Sequence, residues 1–185
     1  MGLSSFFSTA VETGELVSTA ADTARVRKVE YVLVPLPGLG EPARAGAEDA
    51  ALQLAEAADL PVLAVPAGAD GLPRSALVNM DLGEASMRAL RATLPLVADG
   101  GSLTLAHVIP EAESALPHAQ DWMELGTMVL DNVLHRLRDT LRLAGNLEVR
   151  TKVLQGDPAE VLLELGRDFD LTAVGAPKTR SFGRF

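Results

Sequence analysis

A chain of 185 residues has room for one full domain, or for one domain and part of another. Its net charge of −9 argues against nucleic acid as the main partner, because phosphate binding needs a basic surface. The absence of cysteine excludes a disulfide framework, a thiolate nucleophile and a thiolate metal site, and the apolar share of 48%, with one Trp and one Tyr, suits helices on a sheet better than an aromatic-rich sandwich.

At the start, Met1-Gly2-Leu3-Ser4-Ser5-Phe6-Phe7 lacks the charged region and long apolar stretch of a signal peptide. Phe6 stands where a myristoylation signal wants Ser or Thr. No apolar run approaches the ~18 residues of a transmembrane helix. The expected address is the cytoplasm, without membrane insertion.

A helical stretch opens at Gly14-Glu15 and ends near Arg25-Val26-Arg27-Lys28, a basic cluster that reads as a solvated helix end. Tyr31–Leu36 reads as a strand, Pro42 to Ala58 as an Ala-rich helix with Ala47, Ala50, Leu54 and Ala58 at helical spacing, and Pro61–Val65 as a second strand. Between the first strand and that helix, Gly38-Leu39-Gly40 lacks the full Rossmann fingerprint. A Gly/Pro/Ala-rich link runs from Pro66 to Ser75.

Beyond the link, Ala76–Met80 predicts a strand and Glu84 to Val97 a helix, with Leu90, Leu94 and Val97 on one stripe and Glu84, Arg88 and Arg91 toward water. Ser102–Val108 is the next strand. Trp122, Val129, Val133, Leu137 and Leu141 then form the apolar face of a longer helix. Glu148–Val153 follows as a strand. Asp157-Pro158-Ala159-Glu160 is the clearest helix start, because Asp can cap exposed amides and Pro fits the first turn. Leu171–Gly175 is the last strand.

Several of these strands are apolar almost throughout, which suits a sheet covered on both faces. Their alternation with helices predicts right-handed crossovers and an α/β fold with a parallel sheet. A weak repeat accompanies the pattern: a helix-then-strand unit begins at Gly14-Glu15 and again at Gly156-Asp157.

From Ser75 onward the sequence resembles the universal stress protein family. Ala76-Leu77-Val78-Asn79-Met80-Asp81, Gly83-Glu84-Ala85-Ser86 and Ala89-Leu90 look like its first strand and helix, and Ser102–Val108 with Ile109-Pro110 is similar to its second strand. Gln155-Gly156-Asp157-Pro158-Ala159-Glu160 and Asp170-Leu171-Thr172-Ala173-Val174-Gly175 are similar to its third helix and fourth strand. Tyr31 to Val65 resembles the family's fourth strand, fourth helix and fifth strand, so the second half precedes the first. The resemblance implies a Rossmann-like three-layer sandwich of the adenine nucleotide alpha hydrolase type. It divides the chain into residues 1–70, the C-terminal portion of one such unit, and 71–185, the N-terminal portion of a second, forming one composite or swapped domain. A circular permutation, a piece of a tandem protein and a fragment of something larger all fit.

The resemblance also implies a site for ATP or a related adenylate. Asp81, Val108, Gly156 and Gly175 lie at or just beyond strand ends and match family positions that contact adenine and ribose. The family's phosphate loop uses glycines, whose bare backbone lets amides approach an anion. Here Lys178 stands at the second loop Gly, with Lys178, Arg180 and Ser181 as alternative phosphate contacts or as a solvated tail. In the N-terminal copy Pro35 replaces the first loop Gly, Gly38 keeps the second, and Glu48-Asp49 stand where Gly-Ser belongs. Asp81 also reads as a helix cap, as does the Gly156-Asp157-Pro158 turn. His107, His118 and His135 have no metal-ligand spacing, and Ser86 and Ser102 have no His and Asp placed for a triad.

Two functions follow: an adenylate-responsive regulatory homodimer, or a ligand-free dimerisation module serving a protein partner such as a membrane transporter. A hydrolase or adenylate-forming enzyme on a related fold lacks a nucleophile and base, so no catalytic set is read.

Overall fold

The computed structural model describes residues 15–57, 60–81, 83–110, 121, 124–133, 136 and 147–176. The chain divides into two compact units, Met1–Ala69 and Asp70–Phe185.

Unit 1 contains α1 (Leu16–Arg27), β1 (Val32–Leu36), α2 (Ala43–Ala57) and β2 (Val62–Pro66). The two strands pair in parallel, from Val32 with Val62 to Leu36 with Pro66. Small residues bring the helices close: Ala21 and Ala24 of α1 and Ala51 and Leu54 of α2 are buried. In contrast, no residue of β1 or β2 is fully buried, although both strands are apolar throughout. Leu33 is 62% exposed.

Unit 2 is built on a four-stranded parallel sheet. Its strands are β3 (Ser75–Asn79), β4 (Ser102–Ile109), β5 (Glu148–Gln155) and β6 (Leu171–Ala173), in the order β5-β4-β3-β6. Side chains alternate between the faces, and both faces are apolar at the centre. On one, Ala76, Val78, Met80, Leu103 and Leu105 pack with Leu90 of α3 (Glu84–Thr93) and Leu130 of α4, the helical residues 124–133. On the other, Leu77, Ala106 and Val108 pack with Leu162 of α5 (Pro158–Gly166). Helices on both faces of a parallel sheet make this the expected three-layer, Rossmann-like α/β arrangement. Leu77, Leu90, Leu103, Leu105 and Leu130 are fully buried, and each such side chain contributes roughly 1.5–3 kcal/mol of apolar burial.

Three element ends differ from the sequence expectation by more than one residue, and the first is β5, which runs on to Gln155 instead of ending at Val153. α3 stops at Thr93, and Leu94–Leu96 form a 3-10 turn. Pro95 has no N–H to give the α-helical ladder, so the pattern tightens there instead of running to Val97. β6 stops at Ala173 instead of Gly175, where its pairing with β3, from Ala76 with Leu171 to Val78 with Ala173, ends. Trp122, Leu137 and Leu141 of the expected long helical face lie outside the described residues; Val133 packs on the core as expected. No helix among the described residues is long and apolar enough to cross a membrane.

Candidate functional site

The order β5-β4-β3-β6 places the topological switch of unit 2 beside β3. From β3 the chain adds β4 and β5 on one side, then returns to add β6 on the other. In such sheets the crevice outside the carboxyl ends of the strands flanking the switch is the usual ligand position. Asp81 follows the end of β3, and Gly175 follows the end of β6.

Both residues meet the first turn of α3. Asp81 Oδ1 accepts from the Gly83 N–H at 2.8 Å, and Gly83 is the N-cap of the helix. Gly175 lies against the helix backbone so closely that a Cβ there would fall 2.5 Å from both Ala85 C and Ser86 N. No side chain fits in that space, so glycine is a steric requirement. The positive end of the helix dipole and the Asp81 carboxylate thus share one corner.

Asp81 is held below the ordinary carboxylate range, first by the Ser86 hydroxyl, then by the Gly83 amide and its own, with the nearby His107 adding to the effect. Burial works in the opposite direction and is outweighed. Ser86 is itself buried, and its hydroxyl donates to Gly83 O at 3.0 Å. A hydroxyl has one proton, so donation to Asp81 requires that bond to swing away from Gly83.

His107, on β4, sits beneath this corner. Its Nδ1 lies 2.6 Å from Met80 O. A carbonyl can only accept, so Nδ1 carries the proton and, in neutral imidazole, Nε2 is the acceptor. Gly126 of α4 packs on the ring, where a Cβ would lie 3.1 Å from His107 Cδ2.

The remaining strand ends carry Val108 and Gly156. Val108 is buried, and its side chain belongs to the core under α5. Gly156 donates from its N–H to Ile109 O at 3.1 Å and has φ of 139°, a value side-chain-bearing residues rarely adopt. The next residue, Asp157, caps α5: its Oδ1 accepts from Ala159 N at 2.9 Å and Glu160 N at 3.1 Å. Capping explains that turn fully. Asp81 and Gly175 therefore share one corner, while Val108 and Gly156 sit at the neighbouring β4–β5 end. Lys178, Arg180 and Ser181 lie outside the described residues, as do His118 and His135.

The residues missed by sequence reasoning are Ser86 and His107. Ser86 lies three residues after the N-cap Gly83, at capping-box spacing, a readable signal. His107 becomes relevant through the β3–β4 register, which brings Met80 N–H to Ala106 O at 2.7 Å; its sequence neighbours do not announce it.

The corresponding loop of unit 1 is occupied by its own side chains. Gly38 N–H donates to Glu41 Oε1 at 2.9 Å, and a Cβ on Gly38 would lie 2.6 Å from that oxygen. Arg44 donates to Glu48 Oε1 at 2.7 Å and to Pro37 O at 2.8 Å. Glu48 is thus partly neutralised by Arg44, and it is Glu41 that holds the amide an incoming anion would need.

Among the described residues, no group of three or more His, Cys, Asp or Glu side chains is placed to hold a metal ion. No curated protein sequence matches the chain. Its fold is similar to protein Rv1636 from Mycobacterium tuberculosis H37Rv, at 20% identity over 62% of this chain and 79% of that one, with a TM-score of 0.43. It is also similar to hypothetical protein MJ0577, at 20% identity over 54% and 71%, with a TM-score of 0.45. Universal stress protein UspA from Lactobacillus plantarum is similar at 15% identity over 63% and 86%, with a TM-score of 0.48. Residues 73–185, well over half the chain, match the universal stress protein family model. The chain belongs to the universal stress protein family.

Proposed function

We propose that this protein is a cytoplasmic regulatory member of its family that binds ATP or a related adenylate at the Asp81–Gly175 corner of unit 2. The observation that carries the reading is the meeting of Asp81 and Gly175 at the first turn of α3, on the two strands that flank the switch point. An ionised Asp81 is suited to accept from a ribose hydroxyl or an exocyclic amine. The lack of a side chain at Gly175 lets the chain beyond β6 pack directly on the first turn of α3, beside the Asp81 carboxylate. Lys178 and Arg180 follow closely in sequence and are the cations proposed for the phosphates.

Unit 1 supports a different role. Its loop amide at Gly38 is taken by Glu41, so a phosphate would have to displace a carboxylate of the same charge. That favours the ligand-free, interaction-module reading for unit 1, with the adenylate in unit 2. Among its described residues the corner in unit 2 offers an acceptor and a helix end, an arrangement that favours binding and signalling.

Calorimetric titration of the full chain with Mg-ATP tests this reading. The native protein is expected to release heat with saturable one-to-one binding. Asp81→Ala is expected to lower the affinity at least about tenfold, the loss of one charge-assisted hydrogen bond. An unchanged affinity in Asp81→Ala would remove Asp81 from the site, and no heat with the native chain would remove the adenylate altogether.

A further inference from the structure

Met80 stands one residue past the paired part of β3, yet both of its backbone polar groups are tied to β4. The strand pairing ends with Asn79 opposite Ala106. One residue on, the Met80 N–H donates to Ala106 O at 2.7 Å, a bond of the kind a parallel ladder supplies. The Met80 carbonyl receives a side chain, His107 Nδ1 at 2.6 Å. Met80 is fully buried among apolar side chains, where a polar group needs a partner.

The consequence falls on Asp81, which is exposed just above. A peptide unit is planar, so the Met80 C=O, the Asp81 N–H and the Asp81 Cα lie in one plane. Holding the carbonyl therefore sets the direction of the Asp81 N–H and the point from which its side chain departs. Both bear on the carboxylate, which interacts with its own amide and accepts from the Gly83 N–H at 2.8 Å.

The imidazole is itself held in place. His107 follows Leu103 and Leu105 on the sheet face that packs with Leu90 of α3 and Leu130 of α4. Its register partner on β5 is Val153. Gly126 of α4 closes over both: a Cβ there would lie 3.1 Å from His107 Cδ2, 3.8 Å from His107 Nε2 and 3.8 Å from Val153 Cγ1. One edge of the ring thus faces α4 while Nδ1 faces Met80 O. The geometry points to His107 as the positioning residue of the Asp81 corner: its Nδ1–H fixes the Met80–Asp81 peptide and thereby the carboxylate offered to a ligand. Its part in binding rests on the adenylate reading above; its part in orienting Asp81 does not.

Hydrogen exchange at the Gly83 amide, Mg-ATP affinity by calorimetry and the urea midpoint, all read on the full chain, test it. His107→Phe keeps a ring against Gly126 and removes the donor. His107→Asn returns an N–H at the δ position, as many bonds from the backbone as Nδ1, but leaves the seat under α4 partly empty. A residue that only fills space would rank Phe above Asn in every readout, and a positioning residue reverses that order for exchange and affinity. His107→Phe is expected to speed Gly83 exchange and to weaken Mg-ATP binding, each at least about tenfold. His107→Asn is expected to restore most of both, even where its urea midpoint is the lower. Gly83 exchange unchanged in His107→Phe, or His107→Asn as defective as His107→Phe, overturns the positioning role. A native chain that binds no Mg-ATP overturns the adenylate reading alone, and Gly83 exchange still decides whether His107 orients Asp81. If His107→Phe fails to fold, the imidazole nitrogen resonances of the native, isotope-labelled chain decide. A proton on Nδ1 is expected, and an Nε2–H tautomer with bare Nδ1 overturns the proposal.

Discussion

Asp81 and Asp170 are both depressed carboxyls, and their surroundings give them different work. Asp81 Oδ1 accepts from the Gly83 amide, and the residue stands just past a strand end facing a helix terminus. Asp170 is spent on structure: its Oδ2 accepts from Arg74 N–H at 2.9 Å, Ser75 N–H at 3.0 Å and Ser75 Oγ at 3.1 Å, tying the start of β6 to the start of β3. The amides of Arg74 and Ser75 are the main cause of its lowered pKa. A carboxyl lowered on folding stabilises above its unfolded pKa of about 3.9, and that contribution disappears as pH falls through the folded value. Asp170→Asn is therefore expected to lower the urea midpoint at neutral pH and to converge on the native midpoint as the pH falls below the folded pKa. A constant gap between the two proteins across that range would mean that ionisation is not what Asp170 contributes.

Among the elements, α5 shows how much a local signal can carry. Its start was legible in Asp157-Pro158-Ala159-Glu160, and the cap forms on the two amides that capping logic requires. Asp157→Ala is expected to cost about 1 kcal/mol in denaturant unfolding, whereas a loss below the error of the measurement would show those amides finding other partners. Most of the six strands were legible as apolar runs, β5 as an alternation of apolar and charged residues, and their order along the chain as alternation with helices. Less legible were the end of α3, where Pro95 acts on hydrogen bonding, and the end of β6, which is where its pairing with β3 stops. Those boundaries are set by a partner atom, which a one-dimensional pattern does not contain. The same reason hid His107: its bond to Met80 O joins adjacent strands 27 positions apart in sequence.

At the scale of the molecule, the family could be read from a few strand and turn segments after Ser75, and the family match over residues 73–185 agrees with it. The strands of unit 1 are where a linear reading stops short. Their apolar character predicts deep burial, yet none of their residues is fully buried among the described residues. Which of their residues share a face follows from the register of Val32 with Val62, and register is a property of pairing. The candidate site was legible to a similar degree: Asp81 and Gly175 were marked by strand ends, but their meeting over α3 depends on β6 lying beside β3. The central claim is that an adenylate binds at that corner and leaves the unit 1 loop alone. Titrating Mg-ATP into isotope-labelled full chain and following backbone amide resonances tests it most directly. Concentration-dependent shifts are expected at Asp81, Ser86 and Gly175, with Gly38 and Glu41 unmoved. Unmoved resonances at the α3 turn, or shifts confined to Gly38 and Glu41, would contradict it.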